Sequence, residues 1–177
     1  GVAGDDFVGA SVDLLAAAGK LVLVTELGPF HRLAEYLAER EAAQTGVVLG
    51  VPLLREVFGE GHYRDLPGGI LEAFGRLFTH SVRMYVQPTR ALLDGRVLTA
   101  ESLPVASHLT HLLQHLLENR FLRSIPHDES GLRTYSSEQV RARIASGDVS
   151  WKDYVVPSVA DLIEQRGYFD CCSKRRR

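Results

Sequence analysis

The sequence predicts an α/β fold: a small three-stranded parallel sheet flanked by helices, with a helical C-terminal extension. Three observations carry this. Short apolar runs, KLVLVTEL (20–27), GVVLGV (46–51) and SVRMYVQP (81–88), alternate with stretches of helical periodicity. The connections between runs are long enough to hold helices, as parallel pairing with right-handed crossovers requires. After the last run come three helical stretches, at 106–122, 136–147 and 157–167. On this reading residues 1–103 form the α/β part. Residues 104–170 form a helical extension packed on it as one unit, and residues 171–177 are a basic tail.

Each element has a local reason. Residues 5–18 place Phe7, Val8, Val12, Leu15 and Ala16 at helical spacing, and Gly19 stops the helix. The run 20–27 is continuous Leu and β-branched, which suits a strand buried on both faces. Gly28-Pro29 ends it, and Pro29 fits the first turn of a helix at 31–43. Residues 46–51 are the second strand, and PLLREVFGEG (52–61) reads as a short helix or turn. Leu66-Pro67-Gly68-Gly69 is a turn signal that opens a helix at 69–79, with Phe74 and Phe78 at i, i+4. The third strand, 81–88, is closed by Pro88, and 89–103 reads as a connecting loop. In the helix 106–122 a stripe of Leu109, Leu112, Leu113, Leu116 and Leu117 faces the core, and His108, His111 and His115 lie on the other side. Ser136 and Gln139 suit a capping box for 136–147, with Gly147 as its stop. Pro157 and Gly167 bound the last helix. Trp151 and Tyr154 read as an anchor for the C-terminal helices.

The bulk numbers exclude several classes. The chain has 177 residues, enough for a substantial core, with 45% hydrophobic and 24% charged residues. The formal net charge is −2, so nothing global draws the chain to nucleic acid. The one basic cluster, Lys174 to Arg177, reads as a solvated tail. No apolar run approaches the ~20 residues of a membrane-spanning helix. The two cysteines, Cys171 and Cys172, are adjacent, too close to bridge one another without strain, so they read as free thiols in a reducing compartment, the cytoplasm or an organelle lumen. The chain starts abruptly on Gly-Val-Ala-Gly-Asp-Asp, as a processed chain or the end of a longer protein would. A missing N-terminal domain or a protein partner is therefore expected to cover an edge of so small a sheet.

Ligands of open parallel sheets bind beyond the carboxyl ends of the strands. Those ends and the loops after them bring Thr25, Glu26, His31 and Arg32 to one rim, where a carboxylate, an imidazole and a guanidinium can bind a phosphate or move a proton. Gly68 and Gly69 at a helix start can bring backbone amides to an anion. Against this, Glu72 in the first turn repels an anion, and the segment matches neither G-x-x-x-x-G-K-[ST] nor G-x-G-x-x-G. His111 and His115 share a helix face, but without the glutamate of H-E-x-x-H; an amphipathic helix explains them, and no metal site is expected.

The segments LPGGILEAFGRLF and VRMYVQP, followed in order by AESLPVASHLTHLLQHLLEN, SSEQVRARIASGD and PSVADLIEQRG, resemble the C-terminal part of a family of long bacterial proteins. Its members are commonly labelled nicotinate-nucleotide or nicotinamide mononucleotide adenylyltransferases. The resemblance spans most of residues 10–169 and is most specific in LPGGILEAFGRLF. It implies nucleotide chemistry, with Mg²⁺ supplied by the nucleotide. The loop G-x-F-x-P-x-H-x-G-H and the motif S-x-T-x-x-R of well-understood adenylyltransferases are not found in these residues. Gly28-Pro29-Phe30-His31 only echoes the first, so no catalytic residue carries over.

Two functional expectations follow. The first is a nucleotide- or phosphometabolite-binding domain with a site lined by Thr25, Glu26, His31, Arg32, Gly68 and Gly69. The second is a non-catalytic structural or accessory subunit of a larger assembly. A sharp pocket at the strand ends favours the first, and a large apolar patch on 106–122 or 157–167 favours the second.

Overall fold

The computed structural model describes residues 2–40, 44–79, 81–91, 95–127, 132 and 137–171, with side chains from Phe7 onward. In chain order the helices are α1 (Val2–Ala17), α2 (Phe30–Ala38), α3 (Val51–Val57), α4 (Gly69–Thr79), α5 (Thr110–Glu118), α6 (Ser137–Ser146) and α7 (Pro157–Arg166). The strands are β1 (Thr45–Gly50), β2 (Val82–Gln87), β3 (Thr89–Arg90), β4 (Val97–Leu98) and β5 (Leu122–Ser124). The fold is α/β. Strands β1, β2 and β5 form a parallel sheet in that order, flanked by helices, and helices occupy the C-terminal region. Contacts divide the chain into two units, residues 25–134 and residues 1–24 with 135–177.

The unit 25–134 contains the sheet. Its register sets Gly46 against Arg83, Val48 against Tyr85, and Tyr85 against Arg123. Period-2 alternation then puts Val82, Met84 and Val86 on the face that is buried, together with Leu49 and Leu122. The opposite face carries Val48, which is 67% exposed. Helix α4 buries Ile70, Ala73, Phe74 and Leu77, the i, i+3, i+4, i+7 stripe of an amphipathic helix. Phe58 and Phe74 meet edge-on with centroids 5.1 Å apart, and Phe78 and Phe121 lie 4.9 Å apart. These rings join the aliphatic side chains in one continuous core.

The other unit packs Val140, Ile144, Trp151, Ala160, Ile163 and Cys171 together, with Leu14 of α1 against them. Trp151 is 3% exposed, so it anchors these helices as its position implied. Tyr168 donates to the Asp13 carboxylate at 2.5 Å, and the Ser158 hydroxyl donates to Ala17 O at 2.7 Å, tying α1 to α7 and the turn beyond it. Gly167 ends α7 in the left-handed region, at φ 67°.

Three details differ from the sequence reading. Residues 20–27 are not a strand: Leu21, Leu23 and Val24 are 102%, 57% and 63% exposed, and the run pairs with nothing in either sheet. β-Propensity reflects fit to a pleated, half-buried neighbour, and here that place beside β2 is filled by Leu122–Ser124. The helix read as 106–122 is correspondingly shorter. It opens with a 3₁₀ turn at Ser107–Leu109, runs to Glu118, and gives way to β5 after Arg120 turns the chain at φ 58°. The loop 89–103 contains a small antiparallel ribbon, β3 with β4. The capping residue Ser136, the second thiol Cys172 and the basic tail lie outside the described residues.

Candidate functional site

A cavity of about 330 Å³ opens where α2 begins and α3 ends. Gly28, Pro29 and Phe30 form one wall, Leu53, Glu56 and Val57 of α3 a second, and His62 and Tyr63 a third. It lies beside the helix that directly follows the carboxyl end of β1, the side on which open parallel sheets take ligands. Its walls are fixed by local chemistry. The Tyr63 hydroxyl donates to Val57 O at 2.7 Å, so the turn Glu60–Tyr63 is fastened to the end of α3, and burial pushes the Tyr63 phenol up from its ordinary value. Gly59 makes the close turn possible. A Cβ there would lie 2.9 Å from Glu56 O and 3.1 Å from the His62 ring.

His31 sits against this wall. It is 4% exposed, its ring centroid is 6.3 Å from that of Tyr63, and its Nδ1 is buried without a hydrogen-bond partner among the described residues. Burial lowers its pKa, the charge of Glu35 opposes that, and Arg76 and Arg32 lower it further. The imidazole is therefore neutral at physiological pH. Helix α2 has Pro29 at its cap, no side-chain cap bond and no acidic residue in its first turn. The Arg32 N–H donates to Pro29 O at 3.0 Å, which leaves the N–H groups of Phe30 and His31 to solvent or a ligand.

The two glycines are used differently. Gly69 opens α4 with φ 55°, and a Cβ on Gly68 would lie 2.8 Å from the Cβ of Glu72. That space lets Glu72 fold back, and its Oε2 accepts the Gly68 N–H at 2.8 Å. Its Oε1 accepts from Arg76 at 2.7 Å, and Arg76 lies 3.5 Å from Glu35 of α2. The Gly68 amide holds the Glu72 carboxyl below its ordinary range, with Arg76 adding to the effect. The glycine turn is a helix start capped by its own carboxylate, which also occupies the amide that an anion would seek.

None of the six residues singled out from the sequence lines the cavity. Packing of α2 on α4 brings His31 into the field of Arg76 and Glu72. Arg32 is exposed in the first turn of α2. Thr25 and Glu26 are exposed on the extended segment, where the Thr25 hydroxyl accepts the Leu27 N–H at 3.0 Å. Leu53, Glu56, Val57, His62 and Tyr63 were missed. Their signal was the segment 52–63 directly after a parallel strand, where α/β ligand sites gather. Of the histidines on the α5 stretch, His108 pairs with Glu60 at 2.8 Å and His115 Nδ1 faces the Asn119 amide at 3.2 Å. Comparison with protein families, with curated proteins and with solved structures finds no match to this chain.

Proposed function

We propose that residues 25–134 form a small-molecule-binding domain whose ligand is a nucleotide or related phosphorylated metabolite, its ring entering the cavity at the start of α2. The observation that carries this is the buried Nδ1 of His31 beside that cavity, which has no hydrogen-bond partner among the described residues. A polar atom held from water without a partner costs about 1–3 kcal/mol, and such groups concentrate at functional sites. The cavity volume falls in the range of small-molecule sites, about 300–1,000 Å³. Phe30, Leu53, Val57 and Tyr63 supply apolar and aromatic walls for a flat ring. Glu56 is an acceptor for a ring amino group or a ribose hydroxyl.

The uncapped start of α2 suits a phosphate, and Arg32 in that turn has no carboxylate within ion-pair distance among the described residues. The resemblance of the LPGGILEAFGRLF block to proteins labelled adenylyltransferases points the same way. Any transfer step would rest on positioning and charge neutralisation, with Mg²⁺ arriving on the nucleotide. The test is a thermal-shift titration with ATP, nicotinate mononucleotide, nicotinamide mononucleotide and NAD, each with and without Mg²⁺. A saturable rise with one of them supports the reading, and a flat response from folded protein refutes it.

A second reading, a subunit of a larger assembly, draws on a different observation. A groove of about 460 Å³ runs between α4 and α5 over Leu71, Phe74, Phe78, Leu112 and Phe121, and Leu71 is 66% exposed. Sedimentation velocity of wild type and Leu71→Asp over a concentration series tests it for self-association. Association that the aspartate abolishes supports this reading, and a monomer at all concentrations counts against a self-assembly.

A further inference from the structure

At the opposite end of the sheet, where β1 and β2 begin, lies a cavity of about 190 Å³ lined by Gln44, Thr45, Gly46, Ser81, Arg83 and Tyr85. Of its lining residues, Gln44, Ser81, Arg83 and Tyr85 carry side-chain donors, an amide, two hydroxyls and a guanidinium, whereas Thr45 pairs with the buried Val82 and turns its side chain to the other face. No carboxylate lines it among the described residues. Arg83 and Tyr85 are two apart on β2, so both project to the face opposite the buried Val82, Met84 and Val86.

The guanidinium is held in place from two sides. Arg83 Nη1 donates to Val82 O at 2.8 Å, and the guanidinium carbon stands 5.0 Å from the centre of the Phe121 ring. It has no ion-pair partner among the described residues. Four of its five N–H groups remain available. Gly46 keeps space for Tyr85, since a Cβ at 46 would lie 3.3 Å from the ring edge. Ser81 sits at φ 56°, a region that non-glycine residues rarely occupy and that local structure must enforce. Here Ser81 O accepts the Thr45 N–H at 3.5 Å, joining the two strand starts that carry the donors.

We infer that this cavity is an oxyanion site that takes a phosphate group, free or as a phosphate monoester. A half-buried guanidinium without a carboxylate calls for an anion. A planar fork beside two hydroxyls and an amide matches the several acceptor oxygens of phosphate better than the single edge of a carboxylate. Arg83 and Tyr85 stand on β2, which is paired on both sides, so their part of the site is preformed. It is separate from the cavity at α2, which is walled by other elements.

The experiment is a calorimetric titration of the full chain with inorganic phosphate, with ribose 5-phosphate, and with ribose as the unphosphorylated control. Variants are Arg83→Met, which keeps an aliphatic stem over Phe121, Tyr85→Phe, which removes a hydroxyl on the same face and leaves Arg83 intact, and Leu53→Trp in the other cavity. Circular dichroism confirms that each is folded. Saturable binding of phosphate is expected, weakened tenfold or more by Arg83→Met, threefold or more by Tyr85→Phe, and unchanged by Leu53→Trp. Binding of ribose 5-phosphate alone with the same variant pattern also supports the site and names the ester as its ligand. If Arg83→Met does not fold, the Tyr85→Phe loss decides. Binding of neither phosphate compound overturns the inference, as does binding that ignores both Arg83→Met and Tyr85→Phe. Loss confined to Leu53→Trp overturns it too, because the anion then belongs to the cavity at α2.

Discussion

Replacing His31 by leucine tests the link between an unpartnered buried atom and a binding site. The imidazole is 4% exposed and its Nδ1 has no hydrogen-bond partner among the described residues. Removing that atom recovers about 1–3 kcal/mol of desolvation penalty. Leucine is near enough in size that misfit costs up to about 1.5 kcal/mol. The net expectation at pH 7.5 is about 1 kcal/mol of stabilisation, or roughly 4 °C in Tm for a unit of this size. The pH dependence has a definite sign. The folded-state pKa of His31 is lowered below the ordinary 6.5, so the unfolded chain binds its proton first as pH falls. The wild type gains its full contribution above about pH 6.5 and loses it as pH drops through and below that value. His31→Leu removes this component, so its melting curve is flatter between pH 7.5 and 5.5. Calorimetric melts of both proteins at those two pH values measure it. A variant destabilised by more than 1 kcal/mol at pH 7.5, or one with the wild-type pH slope, refutes the reasoning and makes His31 an ordinary packing residue.

Other substitutions probe the frame around the site. Leu54→Ala, at a position that is 0% exposed, is expected to cost about 2–5 kcal/mol in urea unfolding. Gly69→Ala forces a side chain into φ 55° and is expected to cost about 1–2 kcal/mol by the same assay. Glu72→Gln addresses the capped turn. Because the folded carboxyl is held below its ordinary 4.5, its contribution is complete above that pH and is lost as pH falls through the lower, folded value. The variant should therefore melt lower than wild type at pH 7, and the difference should shrink at pH 3.

The sequence exposed those elements whose local pattern and tertiary role agree. The bounds of helix α4 were legible, because Leu66-Pro67-Gly68-Gly69 marks its start, and so was the burial of Phe74, whereas Ala73 and Leu77 of its buried stripe were not singled out. Strand β2 was legible from its β-branched content between two breaks. The run 20–27 was misread because apolar β-formers announce a capacity to pair and say nothing of whether a neighbour exists. Strand β5 was hidden because the leucine spacing of α5 continues through Phe121 and Leu122. The break falls at Arg120, a non-glycine residue at φ 58° that no composition rule marks.

The site was legible only in part. His31 was singled out for the rim of a strand that does not form, yet it lies beside the cavity through its place in α2. Gly68 and Gly69 were read as either turn or anion loop. The folded-back Glu72 carboxylate gives the turn its own partner, a contact that depends on a rotamer rather than on a motif. The walls Leu53, Val57 and Tyr63 look like core residues in any one-dimensional pattern, since a cavity is defined by what fails to fill it.

The most direct test of the ligand-binding proposal is a calorimetric titration of ATP, nicotinate mononucleotide, nicotinamide mononucleotide and NAD, with and without Mg²⁺, into wild type and Leu53→Trp side by side. Leu53 is 41% exposed, so tryptophan there can fill the cavity mouth without disturbing the core. A bound ligand at about 100 times its Kd adds ~2.7 kcal/mol of stability, which a parallel melt confirms. The account predicts saturable binding of one of the four to wild type, weakened tenfold or more in a folded Leu53→Trp chain. No binding to folded wild type, or equal binding to both proteins, would contradict it.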